Sequence, residues 1–138
     1  MPINPMEQYK TQAANTATPG MLVIMLFDGA IKNLKLAIKA VQENKIEDAH
    51  NAIVKTENIY SHLLSTLNED VPISATLKQY YKYFLRRLLE ANFKKDESIL
   101  NEILEFSIEF RDTWRQAEKN RHIQNNAQNP NLNLSVKR

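Results

Sequence analysis

A chain of 138 residues has room for one hydrophobic core, and its formal charge of +2 gives no sign of a nucleic-acid or anionic-membrane partner. The absence of cysteine excludes disulfides, thiolate metal sites and cysteine nucleophiles, and it fits a reducing compartment such as the cytoplasm. Because 43% of the residues are hydrophobic and only 2 are glycine, the composition favours long helices. We therefore expect a single all-α domain.

The first 17 residues lack helical periodicity and contain Pro2 and Pro5. This pattern predicts a mobile N-terminal arm over residues 1–17. The arm has no apolar stretch of the kind found in signal peptides, and the longest apolar run, residues 21–27, is too short to cross a bilayer. We expect neither a signal peptide nor membrane insertion.

Two helices are predicted in the first half of the chain. Thr18 followed by Pro19 is typical of a helix start, with Thr18 as the N-cap. Apolar residues then recur every three or four positions, as expected of a helix at the centre of a bundle: Ile24, Phe27, Ile31, Leu34, Ile38 and Val41. After a polar break at residues 43–45, a second amphipathic helix is predicted to end near Asn68.

Two more helices are predicted in the second half. Residues 69–73 form a connection, and Ser74 is the predicted N-cap of a third helix that ends near Phe93. Asp96 is the predicted N-cap of the fourth helix. We expect three aromatic residues of the fourth helix to pack on the first: Phe106, Phe110 and Trp114.

Short connections between four helices predict an antiparallel up-down four-helix bundle over residues 18–123. Residues 74–95 hold six basic residues and one acidic residue, whereas residues 96–113 hold six acidic residues and one basic residue. This contrast favours antiparallel packing of the third helix beside the fourth. The Asn-rich sequence from Gln124 onward predicts a disordered tail over residues 124–138.

No residue pattern points to catalysis. The three histidines, His50, His62 and His122, lack the close helical spacing of a metal site, and the two glycines form no phosphate-binding loop. Acidic pairs such as Asp96-Glu97 stand at helix starts, where negative charge compensates the helix dipole. We expect no enzyme, no metal and no cofactor.

Two binding interpretations remain open for the third helix. Its six basic residues, interleaved with Tyr80 and Tyr83, would suit a nucleic-acid or regulatory binding module. Alternatively, Tyr80, Tyr83 and Arg87 line one flank of the helix and could form the rim of a protein-binding groove. The salt dependence of binding distinguishes these two interpretations, because nucleic-acid affinity falls steeply with ionic strength and the affinity of an apolar groove does not.

Several segments resemble the FliS family of flagellin chaperones. Residues 16–30 read TATPGMLVIMLFDGA, which is similar to the family's first helix, and Tyr9 matches its N-terminal tyrosine. Residues 77–92 are similar to its LYxYxxRRLxxAN helix, and the likeness covers residues 9–117. Phe27 departs from the family, which usually has tyrosine at that position.

The resemblance implies a cytosolic export chaperone without a cofactor. Such a protein binds the disordered C-terminal segment of flagellin, blocks premature polymerisation and delivers flagellin to the flagellar type III secretion apparatus. We expect a monomer or a weak homodimer that binds no nucleic acid. The predicted flagellin-binding residues are Tyr9, Ile53, Tyr60, Asn68, Tyr81, Tyr83, Arg87 and Asn92.

The N-terminal arm has two possible roles in this scheme. Met6 and Tyr9 could cover an apolar groove as a lid that flagellin displaces, or Tyr9 could contact flagellin directly. Deleting residues 1–15 distinguishes them, since loss of a lid strengthens binding and loss of a contact weakens it.

Overall fold

The computed structural model describes residues 18–128, which form four α-helices and, within that range, no β-strand. The helices are α1 (Pro19–Gln42), α2 (Ile46–Ser65), α3 (Ser74–Lys94) and α4 (Glu97–Gln128). The all-α prediction is confirmed. The predicted arm lies outside the described residues. α4 continues past the predicted boundary at residue 123, and the remainder of the predicted tail lies outside the described residues.

Side-chain caps fix the starts of α1 and α4. Thr18 Oγ1 accepts a hydrogen bond from the backbone N–H of Met21 at 3.2 Å. Asp96 Oδ1 accepts hydrogen bonds from the N–H groups of Ser98 and Ile99 at 2.9 and 3.4 Å. Both predicted N-caps are confirmed, and each satisfies donors that the first turn of a helix leaves without partners.

Ser74 was predicted as the N-cap of the third helix, and this was wrong. α3 begins at Ser74 itself, and its preceding residue makes no side-chain cap. The hydroxyl of Ser74 instead donates to the carbonyl oxygens of Asn68 and Val71, each at 2.7 Å. The Ser74 side chain therefore stabilises the connection before α3 and does not cap the first turn of the helix.

Contacts between helix ends show the antiparallel order. Thr18, before α1, donates a hydrogen bond at 2.5 Å to Glu118, late in α4. Gln42, at the end of α1, donates to Glu97, at the start of α4. Each helix packs against its two neighbours in the order α1, α2, α3, α4, with α4 returning to α1. This is the up-down arrangement expected from short connections.

The core is an aromatic cluster with aliphatic residues around it. The ring of Phe27 on α1 lies 6.1 Å from those of both Tyr60 on α2 and Phe110 on α4. Tyr60 also packs at 5.1 Å against Phe84 of α3, so all four helices contribute aromatic rings. The prediction that Phe110 packs on the first helix is confirmed, and Trp114 is half-buried beside the same core.

Candidate functional site

An apolar cleft opens where the α2–α3 connection meets α1 and α4. Its volume is about 260 Å³. The lining includes side chains from α1, α2, the connection, α3 and α4: Val23, Leu63, Leu67, Val71, Ile73, Leu77 and Trp114. A concave, mainly apolar surface of this kind is the usual form of a binding site.

The rim of the cleft exposes large hydrophobic side chains. Val71 and Ile73, on either side of Pro72, are 43% and 55% exposed. Exposing grouped apolar side chains to water is unfavourable, so such a patch generally marks an interaction surface.

Hydrogen bonds hold the connection in the shape that presents Val71 and Ile73. Asn68 Oδ1 accepts a hydrogen bond from the backbone N–H of Asp70 at 3.0 Å, which forms a tight turn after α2. The Ser74 hydroxyl closes the other side of the connection through the carbonyls of Asn68 and Val71. The apolar rim is therefore built on an ordered turn.

A row of partly buried aromatic rings follows the groove between α3 and α4. Tyr80 lies 5.2 Å from Phe110 and 6.1 Å from Phe106, and Tyr83 lies 6.4 Å from Phe106. Tyr80 is 39% exposed. The row adds aromatic surface with a polar edge, which suits a protein interface.

Three of the predicted binding residues are buried in the core. Ile53, Tyr60 and Tyr81 are at most 1% exposed. Ile53 and Tyr60 have no exposed surface in the closed bundle, whereas Tyr81 forms part of the buried wall of the cleft. Tyrosine is common at interfaces, but these two occupy the inward positions of their helices.

Burial also changes the chemistry of those tyrosines. Loss of solvation raises the pKa of Tyr81 to about 12. Burial raises the pKa of Tyr60 further, and a hydrogen bond with Ser107 partly offsets this rise. Both phenols are neutral near pH 7 and serve the fold.

Tyr83 and Arg87 lie at the surface but already have partners. The Tyr83 hydroxyl donates to the carboxylate of Glu102 on α4 at 3.1 Å, and Arg87 Nε donates to the same carboxylate at 3.2 Å. Arg87 also pairs with Glu90 at 2.7 Å. The pKa of Arg87 is raised, chiefly by its hydrogen bond to Glu102. These residues join α3 to α4 at the edge of the aromatic row.

Asn68 and Asn92 lie far apart. Asn68 is exposed at the cleft. Asn92 is at the opposite end of α3, where its side chain lies 3.0 Å from His50 Nδ1 and accepts a hydrogen bond from Lys95 at 2.8 Å. The eighth predicted residue, Tyr9, lies outside the described residues. Of the predicted residues that the structure describes, two line the cleft: Asn68 is exposed at its rim, and Tyr81 is buried in its wall.

Sequence reasoning missed the residues that form the cleft rim. Val71 and Ile73 were assigned to a connection, and Trp114 was assigned to the core. One signal was available, because apolar residues on both sides of Pro72 are unusual in a short polar turn.

Ion pairs engage three of the six basic residues between positions 74 and 95. Lys78 pairs with Glu69 at 3.4 Å, and Lys94 pairs with Glu90 at 3.1 Å, in addition to the two pairs of Arg87. These pairs reduce the positive charge that a nucleic acid would meet on α3.

Within residues 18–128, no group of His, Cys, Asp and Glu side chains is placed to hold a metal ion. None of the four helices over this range combines the length and hydropathy needed for a membrane span.

Comparison with known families decides the identity of the fold. The model of the family described as flagellar protein FliS matches residues 2–121. The chain belongs to the FliS family. The resemblance seen in the sequence is confirmed.

Two curated members of the FliS family illustrate the relationship. A flagellar secretion chaperone FliS of Bacillus subtilis is 38% identical over 123 residues, covering 86% of this chain and 92% of the relative. A protein of the same name from Salmonella typhimurium is 30% identical over 107 residues, covering 75% of this chain and 79% of the relative. Both carry the name of a chaperone, which is not an enzyme class.

A solved structure described as a flagellar chaperone from bacteria has the same fold. It superposes with a TM-score of 0.71 at 18% sequence identity, and the match covers 84% of this chain and 99% of that structure. At this identity the likeness supports the helical bundle itself.

Proposed function

We propose that this FliS-family chain binds the disordered C-terminal segment of flagellin in the cytosol of a flagellated bacterium. The complex keeps flagellin from polymerising early and assists its delivery to the flagellar type III secretion apparatus. The observation that carries the proposal is the apolar cleft with its exposed rim at Val71 and Ile73.

The cleft suits one part of a longer partner segment. Polymerising segments of a filament protein are amphipathic, and such a helix can place its apolar face in a groove between helices. A disordered partner loses conformational entropy when it binds, so the favourable contact must be extensive. A cleft of about 260 Å³ supplies an anchor, and the α3–α4 aromatic row extends the surface.

Five of the residues predicted from the sequence stay in the proposed interface. Asn68 offers a polar group at the cleft, and Tyr83 and Arg87 border the aromatic row. Asn92 at the far end of α3 and Tyr9 in the arm are the more distant proposed contacts.

Calorimetry with a flagellin C-terminal peptide tests the proposal. The double variant Val71→Ser, Ile73→Ser removes the apolar rim and keeps the side chains of Asn68 and Ser74, which hold the connection in shape. We expect at least tenfold weaker binding, about 1.4 kcal/mol, with an unchanged melting curve.

The matched control is Leu36→Ser with Ile46→Ser. These side chains are 50% and 53% exposed and lie away from the cleft. Equal loss of affinity in the two double variants would refute a specific role for the cleft. Binding of single-stranded nucleic acid that weakens steeply between about 50 and 200 mM salt would favour the alternative module instead.

A further inference from the structure

The α3 helix carries a second exposed surface, whose residues lie outside the cleft lining. Lys82, Arg86, Leu89 and Phe93 follow one another at intervals of four, three and four residues, so they share one side of the helix. Leu89 is 65% exposed and Phe93 is 90% exposed. These four residues, called here the outer α3 face, extend over about 16 Å at 1.5 Å per residue.

Packing does not explain the two apolar residues of the outer α3 face. Phe93 is the most exposed of the large hydrophobic side chains in the described part of the chain. The end of α3 does not need it, because Lys95 adopts a left-handed conformation and its backbone N–H bonds to the carbonyl of Ala91. An exposed phenyl ring beside an exposed leucine is therefore available to another molecule.

The two cations of the outer α3 face also differ from their neighbours. Lys78, Arg87 and Lys94 pair with carboxylates. Across residues 18–128, neither Lys82 nor Arg86 forms an ion pair, and Arg86 instead lies 5.3 Å from the centre of the Tyr83 ring. The surface thus joins two apolar groups to two positive charges that lack an acidic partner.

We propose that the outer α3 face docks an acidic amphipathic helix of a second protein, at a site that borders the residues proposed to bind flagellin but includes none of them. Two apolar side chains one turn apart would cover Leu89 and Phe93. Carboxylates on the adjoining turns would face Lys82 and Arg86. A partner helix of about three turns matches the length of the face.

The number of charges favours a protein over other anionic partners. Two cations can neutralise about two phosphates, which supports only weak nucleic-acid binding compared with the usual 6–10 contacts. Recognition of an anionic membrane generally uses clusters of about 4–8 basic residues. Two ion pairs with the partner, formed by Lys82 and Arg86, are sufficient to orient a protein helix whose affinity comes from apolar contact.

Site-specific photocrosslinking identifies the partner. A benzoylphenylalanine replaces Phe93 in the full chain within motile cells, and the crosslinked segment is mapped by mass spectrometry. The same photoreactive residue at Ile123 of α4, which is 55% exposed, is the matched control. The proposal requires a crosslink, specific to position 93, to a helix-forming segment with apolar residues flanked by Asp or Glu.

A synthetic peptide of the mapped segment then tests the chemistry by fluorescence anisotropy. Phe93→Ser and the double variant Lys82→Glu, Arg86→Glu should each weaken its binding at least tenfold, with unchanged melting curves. Lys32→Glu with Lys35→Glu, a charge reversal on the exposed surface of α1, should have little effect. Exchanging the peptide's acidic residues for lysine should restore binding to the Lys82→Glu, Arg86→Glu protein.

Other outcomes overturn the proposal. A crosslink from position 93 to flagellin would make the face part of the flagellin site, and a crosslink to a second copy would make it a dimer contact. The absence of any protein crosslink from position 93 would contradict a protein partner. Binding of phosphatidylserine vesicles or poly-uridine that Phe93→Ser abolishes would show that the partner is a membrane or a nucleic acid.

Discussion

Ser107 and Tyr60 form a polar contact inside the hydrophobic core. Both are buried, their hydroxyls are hydrogen-bonded to each other, and Ser107 also donates to the carbonyl of Ile103 at 2.7 Å. Buried hydroxyls are tolerated when their hydrogen bonds are made. This contact fixes α2 against α4 at the level of Phe27.

Tyr60→Phe should lower the free energy of unfolding by about 0.5–1.5 kcal/mol, because it leaves the Ser107 hydroxyl without one partner. The double variant Tyr60→Phe, Ser107→Ala should recover part of that loss, since both polar groups are then absent. Urea denaturation of the three proteins measures the effect. Weaker flagellin binding without a loss of stability would instead return Tyr60 to the binding surface.

Buried tyrosines also make stability depend on alkaline pH. The pKa of Tyr81 is raised from about 10 to about 12, so the unfolded chain releases this proton at a lower pH than the folded chain does. The contribution of Tyr81 to stability is complete below about pH 10 and is lost as the pH rises towards 12, at up to about 1.4 kcal/mol per pH unit.

Tyr81→Phe should therefore flatten the fall in stability above about pH 10. Guanidinium denaturation at about pH 9, 10 and 11 provides the measurement. An identical pH dependence in the wild-type and Tyr81→Phe proteins would contradict the burial of this phenol.

At the scale of elements, the start of α1 depends on a residue with two roles. Thr18 caps the first turn of α1 and also donates to Glu118 on α4. The pKa of Glu118 is lowered, first by its hydrogen bond from Arg121 and then by that from Thr18. One hydroxyl thus joins the beginning of the bundle to its last helix.

Thr18→Ala should lower the free energy of unfolding by about 0.5–2 kcal/mol through loss of the cap. Thr18→Ser keeps the hydroxyl and should stay close to wild type. Thermal melts of the two variants decide the point, and equal stabilities would show that neither hydrogen bond of Thr18 matters.

Helix starts and inward faces were predictable because they depend on local sequence. Thr18-Pro19 and Asp96 cap their helices as predicted, and the apolar spacing around Phe27 identified the core. Ser74 was harder, because its partners are carbonyls of the preceding connection. The local sequence does not show whether a serine hydroxyl accepts from the N–H groups of the following helix or donates to carbonyls of the preceding connection.

At the scale of the whole molecule, the cleft joins residues that are far apart in sequence. Val23, Leu67, Ile73 and Trp114 meet only after all four helices have packed. Periodicity reports which side of a helix faces inwards, but it does not report where the packing leaves an opening. The burial of Tyr60 and the place of Tyr81 in the cleft wall therefore became visible only in the packed bundle, as did the apolar rim.

Hydrogen–deuterium exchange with mass spectrometry tests most directly the proposal that the cleft receives flagellin. The full chain is compared with and without a saturating flagellin C-terminal segment, and the Val71→Ser, Ile73→Ser protein serves as the control. We predict slower exchange over residues 63–77, which contain the end of α2 and the apolar rim, and around Trp114. Slower exchange confined to the α1–α2 connection, with residues 63–77 unchanged, would contradict binding of flagellin in the cleft.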